Sequence, residues 1–427
     1  MELNTRTLDK AAIGRTIAAV WHMESARIIA VVARLVRDVG LAEELAQDVL
    51  VTALEHWPDA GVPDKPGAWL MTAAKNRALD HLRRDQMLTR KHAELALELE
   101  AELEQAEQGE EASVDDIGDD MLRLMFIACH PVLSSEARIA LTLRLLGGLT
   151  TDEIARAFLV PEPTIAQRIV RAKRTLSEAR VPFEAPRVEE FAPRLAAVLH
   201  VIYLIFNEGY AATAGEDWMR PALCEEALRL GRVLAGLVPA EAEVHGLVAL
   251  MEIQASRTRA RTGANGEAIL LLEQNRGLWD HLLIRRGLDA LARAEGLGQV
   301  FGPYTLQAAI AACHARARRA EETDWIKIAA LYDALSQVAP SPVVEVNRAV
   351  ALGMAFGPAT GLAHLDSVCD ASVLKHYYLL PSVRGDLLAK LGRAREAAEE
   401  FERAAALTRN AREREVLLRR ALACQAQ

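Results

Sequence analysis

Thr164, Gln167, Arg168, Arg171 and Arg174 recur three and four residues apart in "PTIAQRIVRAKRTL" (Pro163–Leu176). At helical spacing they share one side, while Ile165, Ile169, Ala172 and Leu176 fall on the other. Amide and guanidinium donors on an exposed helix suit phosphate oxygens and the base edges of a major groove. The preceding segment, "LTTDEIARAF", reads as a short helix, with Thr150 or Thr151 to cap it and Glu153 in its first turn. Pro163 fits the first turn of the second helix, where its missing N–H costs nothing. Helix, tight break and basic helix make a helix-turn-helix; an ordinary helical hairpin with a solvated basic face is the alternative.

A second set of donors lies upstream, in "PGAWLMTAAKNRALDHLRRD" (Pro66–Asp85). Leu70, Met71, Ala74, Ala78 and Leu82 form the apolar stripe expected to face a core. Trp69, Ala73, Asn76, Asp80 and Arg83 recur on another face, with Arg77 and Arg84 beside it. An aromatic ring, an amide and several arginines on one helix suit phosphates and unpaired bases together; a buried Trp69 with solvated arginines is the alternative. Before it, "LAEELAQDVLVTALEHW" (Leu41–Trp57) turns Leu45, Val49 and Ala53 inward and leaves Glu43, Glu44, Gln47 and Asp48 outward. An acidic face of this kind suits a protein partner better than DNA.

The elements that must position these residues are helices. Half of the 427 residues are hydrophobic and only 5% are aromatic, with Ala, Leu, Arg and Glu prominent; such residues lose little entropy in a helix. An all-α chain of two to four domains is expected from that length. The net charge of −9 excludes a uniformly basic coat. It is concentrated in Lys91–Asp120, where twelve carboxylates face one lysine, so residues 91–120 read as an acidic linker, its second half a flexible tether. The five cysteines are scattered without metal-ligand spacing, which points to reduced thiols and to no zinc site. "MELNTRTLDK" lacks the apolar run of a signal peptide, and "LAAVLHVIYLIF" (Leu195–Phe206) is too short to span a bilayer. A cytoplasmic protein is expected.

In order, "AEELAQDVLVTALEHW", "AWLMTAAKNRALDHLRR", an acidic linker and "LTTDEIARAFLVPEPTIAQRIVRAKRTL" resemble an extracytoplasmic-function (ECF) sigma factor of bacterial RNA polymerase. The resemblance covers roughly residues 12–180. It implies a sigma-2 domain over 12–90 and a sigma-4 helix-turn-helix domain over 121–180, with no catalysis and no cofactor of its own. By that resemblance Glu44, Gln47 and Asp48 face the polymerase clamp helices. Asn76, Arg77, Asp80, Arg83 and Arg84 match the part of sigma-2 that engages the minus-ten region. Thr164, Gln167, Arg168, Arg171 and Arg174 match the helix that reads the minus-thirty-five element. The acidic linker would run along the RNA exit path. Ala166 departs from the polar residue often found there, which leaves base preference at that point open.

A proline-marked connector, "VPFEAPRVEEFAP" (Val181–Pro193), leads into a long helical extension, read as 187–290 and 291–427. "LLAKLGRAREAAEEFERAAALTRN" resembles a tetratricopeptide repeat through Leu391, Gly392, Ala397 or Ala398, Phe401 and Ala404, and "VNRAVALGMAFGPATGLAHLD" is a weaker echo. Long ECF sigma factors with a helical C-terminal extension form a subgroup that this arrangement resembles. A regulatory or polymerase-contacting role is the expectation for it, through a regulatory protein or a contact within the chain. His200, Asn207, Glu208, Tyr210 and Asp217 could line a pocket; the simpler reading ends an apolar helix at Gly209 in a positive-φ cap, with Tyr210 packed beneath. From a different class comes the alternative of a helix-turn-helix regulator with a repeat-based sensor, which works without polymerase and leaves "AEELAQDV" with no partner.

Overall fold

The structure, a computed structural model, describes residues 2–88, 114–211, 219–263, 268–368, 374 and 377–426. Every regular element among them is helical, and the only β-type pairing is an isolated bridge between Thr262 and Ala268. The chain divides into two compact units, residues 1–202 and 203–427. Residues 91–113 of the expected linker, and Asp217, lie outside the described residues.

The first unit is built on α1 (Glu2–Val36), against which α2 (Val39–Ala60), α3 (Pro66–Leu88) and α4 (Val114–Ala128) pack. α1 is long and apolar enough from Ala12 to Val36 to cross a membrane, but Ile17, Ile28, Ile29 and Val32 are buried in the fold. That makes it a core helix. Asp38 starts α2 by accepting a hydrogen bond from the Leu41 N–H at 2.9 Å. Trp57 at the far end is fully buried and meets Trp69 edge to face, with centroids 5.4 Å apart. α4 begins at Val114, inside the stretch expected as a tether. Its Asp120 is buried and paired with Arg34 of α1 at 3.0 Å and Arg123 at 2.9 Å. Burial pushes the Asp120 carboxyl up while those two guanidiniums pull it down.

Next come α5 (Ser135–Leu145), α6 (Thr151–Phe158) and α7 (Glu162–Glu178). Thr150 caps α6 in a reciprocal box: Glu153 N–H donates to Thr150 Oγ1, and Thr150 N–H donates to Glu153 Oε2 at 2.8 Å. The turn into α7 contains no glycine, and Leu159 takes the left-handed conformation at φ 51° with its side chain in solvent. A side chain there strains the backbone, so Leu159→Gly is expected to stabilise the unit by about 0.5–1 kcal/mol, measured by chemical denaturation. The face of α7 turned inward is Ile165, Ile169, Ala172 and Leu176, as the spacing predicts.

The connector is shorter than its prolines suggest, because α8 (Val188–Tyr210) starts early and carries Pro193 within its first two turns. Nor does Gly209 act as a positive-φ cap. It is helical, and a Cβ on it would fall 2.7 Å from the Cys224 backbone nitrogen. The glycine is there for close approach to α9 (Pro221–Leu237). Tyr210 does pack back on this helix, stacked on Phe206 at 5.6 Å.

The second unit continues through α10 (Ala242–Ala255), α11 (His281–Gly296), α12 (Pro303–Arg316), α13 (Trp325–Val338), α14 (Pro342–Phe356), α15 (Pro358–Val368), α16 (Leu379–Lys390), α17 (Ala394–Leu407) and α18 (Ala411–Gln425). α10 is buried on every side. Its Glu243 accepts hydrogen bonds from the Tyr304 and Thr305 N–H groups, capping the start of α12. The weak echo is a helix pair, α14 and α15, whose backbones touch at Gly353 and Gly361. The stronger repeat forms α16 and α17, joined through Gly392 at φ 77° and closed over Phe401.

His314, near the end of α12, is 7% exposed. Burial, with Arg257 and Arg276 nearby, pulls its imidazole down to about 3. A base depressed in the fold stays neutral there, while the unfolded chain takes up a proton below about pH 6.5. Stability is therefore full above that pH and lost as pH falls toward 3, by about 1.4 kcal/mol per unit. Between pH 7 and 5 the native chain should lose about 2 kcal/mol more than His314→Gln, by urea denaturation followed in the second unit.

Candidate nucleic-acid and polymerase interface

Both donor sets point outward. On α7, Gln167, Arg171 and Arg174 are exposed, while Thr164 and Arg168 are half-buried. Arg174 Nε donates to Glu178 Oε1 at 2.6 Å, an exposed pair one turn on. Ala166 leaves a short side chain between these donors. On α3, Asn76, Arg77, Asp80, Arg83 and Arg84 are all exposed. Trp69 is half-buried against Trp57 and so belongs partly to the core. The inward stripe is Leu70, Ala74, Ala78 and also Leu79, with Met71 and Leu82 half-buried at its edge.

The acidic face of α2 divides. Glu44 and Asp48 are exposed and Gln47 is half-buried. Asp48 accepts from Arg77 Nη1 at 2.7 Å, and Thr52 accepts from Arg77 Nη2 at 3.1 Å. The expected polymerase face and the expected minus-ten face thus share a side-chain contact. Glu43 corrects the sequence expectation, since it is 2% exposed rather than solvated. Its Oε1 accepts from Arg144 Nε of α5 at 2.5 Å and from the Gln47 amide. Lys173 Nζ of α7 lies 2.5 Å from Oε2, off the line of a hydrogen bond, so that contact is an ion pair. Arg144 is itself held by the Leu149 carbonyl. One carboxylate therefore joins α2 to both α5 and α7.

Beside Gln47, an apolar groove of about 450 Å³ runs between α1 and α2, lined by Ile17, Trp21, Leu50, Val51 and Leu54. Val51 is 51% exposed and Leu54 47%. Large apolar side chains left in water beside an acidic rim suit protein docking. The inward and outward residues of α2 drew attention in the sequence, but Leu50, Val51 and Leu54 fell between them; their clustering at i, i+1 and i+4 was the available signal.

Residues 200–210 assemble no comparable site. His200 is solvent-facing, its imidazole lowered by partial burial and by Arg138, and Glu208 is paired with Arg220. No group of three or more metal-type side chains occurs among the described residues.

Two exposed donor helices in one compact unit, one of them paired with an acidic, apolar-rimmed partner helix, match known families in the same order. Residues 21–87 match Sigma-70 region 2, and residues 123–176 match Sigma-70 region 4. Residues 194–295 match a family of unknown function (DUF6596). A protein of Rhizobium meliloti, uncharacterized protein R00370, is 44% identical over 385 residues, 89% of each chain. The ECF RNA polymerase sigma factor SigK of Mycobacterium sp. (strain KMS) is 28% identical over 160 residues, 36% of this chain and 76% of that one. SigK of Mycobacterium ulcerans is 30% identical over 159 residues, 35% and 78% respectively. No solved structure matches the chain.

The fold and these two faces define a sigma factor of bacterial RNA polymerase, a subunit that binds the core enzyme and promoter DNA. Within that class the chain is an ECF sigma factor with a C-terminal extension; the Rhizobium protein is similar to it along most of its length. A regulator working without polymerase is not favoured, because it leaves the region 2 match unused.

Proposed function

We propose that Gln167, Arg171 and Arg174, with Thr164 and Arg168 at the margin, read the minus-thirty-five element from the major groove. Asn76, Arg77, Asp80, Arg83 and Arg84 engage the minus-ten segment and adjacent backbone, and Glu44, Gln47 and Asp48 meet the core polymerase, with Leu50, Val51 and Leu54 as the apolar part of that contact. The observation that carries this reading is the outward set of donors on α7 directly opposite a fully buried apolar face. The protein acts in the cytoplasm, contributes no covalent chemistry, and supplies specificity to an enzyme that makes the RNA. The domain limits are those of the sequence reading, with Val114–Asp120, the start of α4, moved from the linker into the region 4 unit. The extension regulates the sigma domains.

Arg171 is the side chain on which promoter choice depends most directly. Arg171→Ala is expected to weaken minus-thirty-five recognition by about 1–3 kcal/mol if it makes a good base contact. The measurement is promoter-specific transcription by sigma-free core polymerase supplemented with the purified protein, on promoters varied one base at a time. Unchanged preference would reassign Arg171 to phosphate or solvent. Failure of the native protein to bind core would sink the polymerase contacts assigned to α2.

A further inference from the structure

The second unit contains a cluster that promoter recognition does not use. Arg257 follows α10; Gln274, Arg276 and Trp279 lie in the segment before α11; His314 ends α12. The two arginines gather round the Trp279 indole. The Arg257 guanidinium lies 5.8 Å and the Arg276 guanidinium 5.0 Å from the Trp279 ring centroid. Arg257 also lies 5.9 Å from the Tyr210 ring, over which Arg261 stacks at 3.5 Å.

Arg276 is anchored, donating from Nη1 to the carbonyls of His314 and Ala317, both at 2.7 Å, and from Nη2 to Thr323 Oγ1 at 3.1 Å. It holds the end of α12, and that explains two of its nitrogens. Arg257 has no such explanation. It is 6% exposed, and its Nη2 donates to the neutral Gln254 amide oxygen at 3.1 Å. Among the described residues it makes no ion pair with a carboxylate. A buried guanidinium ordinarily sits opposite a carboxylate, because neither charge is tolerated alone in a low-dielectric interior.

The same neighbourhood collects buried polar atoms that lack a hydrogen-bond partner: Arg257 Nε, Arg276 Nε, Trp279 Nε1, His314 Nδ1 and Gln274 Oε1. Three of these five are N–H donors on cationic or indole groups. Buried polar groups in folded proteins are nearly all satisfied, and a local concentration of orphan donors calls for an acceptor. A negatively charged, multiply accepting group answers both the uncompensated charge and the unused donors, and guanidinium nitrogens suit the paired oxygens of carboxylate and phosphate.

We propose that this cluster binds a small oxyanion, a phosphate or carboxylate group, with Arg257 as its principal charge and the Arg276 Nε–H and Trp279 indole N–H as further donors. The extension is then a ligand-responsive unit, since a ligand held by the folded form alone stabilises it in proportion to its concentration. The site stands on its own residues and does not depend on the promoter contacts assigned above.

The test uses the full chain, titrated with inorganic phosphate and separately with succinate at constant ionic strength, against sodium chloride. Binding is followed by calorimetry and by the melting of the second unit. A saturable response to at least one of the two ions is expected, and which ion gives it tells phosphate from carboxylate. Arg257→Gln should weaken that response at least tenfold, while Arg395→Gln, fully exposed on α17, leaves it unchanged. Trp279→Phe keeps an aromatic ring but removes the N–H together with the pyrrole half of the indole; a several-fold weaker response is expected from it, and it serves if Arg257→Gln does not fold. Responses no larger than that to chloride, or equal in the native chain and both cluster variants, would overturn the site and leave Arg257 to the chain's own groups.

Discussion

Glu43→Ala is expected to loosen the packing of α5 and α7 on α2 by about 3 kcal/mol. Breaking a buried pair from one side costs roughly 3–5 kcal/mol, because the partner charges stay behind without compensation. The lower end applies here, since Arg144 and Lys173 keep 21% and 20% of their side chains in water. Two cations drawn toward one carboxylate would then repel each other across the gap. The expected readout is a longer distance between fluorescent labels on α3 and α7 in the free protein. Core polymerase should also bind the variant more tightly, because Gln47 and the groove beside it are the surface the proposal assigns to the clamp. Arg144→Ala combined with Lys173→Ala opens the same contact without touching α2. If the label distance stays at its native value in both variants, the carboxylate is not what holds the helices together.

Phe401→Ala should cost about 3–5 kcal/mol within the extension. The ring is 1% exposed, and its neighbours Ala397, Ala398, Ala404 and Ala405 are too small to close the cavity left behind. Gly385 lies against it so closely that an added Cβ would fall 2.9 Å from the ring, and the Arg420 guanidinium covers it at 4.3 Å. For a unit of this size the melting transition of the extension should fall by roughly 10 °C, with residues 1–202 unaffected. Promoter-directed transcription between the two melting temperatures then tests regulation. A change in output there supports control by the extension, and output identical to that of the native chain argues against it.

What the sequence disclosed depended on whether neighbours were near in the chain. The inward face of α7 was legible because an amphipathic helix carries its own period, and the Thr150 cap because its partner is three residues away. Glu43 was not legible: its burial comes from a side chain 101 residues distant and from a recognition helix expected to face only DNA. Gly209 failed for a related reason, since local preference suggested a cap and a crossing helix used the missing side chain instead. Asp120 was counted with a solvated acidic run, although Arg34 recruits it into the fold. α10 gave no period to read because every side of it is covered. The donors themselves were read correctly as exposed on α3, and on α7 for three of five.

The hydrogen bonds from Arg77 to Asp48 and Thr52 place one guanidinium in two jurisdictions. If Arg77 turns to a phosphate it releases Asp48; if Asp48 turns to the polymerase it releases Arg77. Both side chains are open to solvent, so the exchange involves no more than about 1 kcal/mol. Small as it is, the term is reciprocal: whichever partner arrives first lowers the threshold for the other by the same amount. Where the assigned contacts form, a surface contact that adds little to stability couples promoter capture to core binding without fixing which comes first.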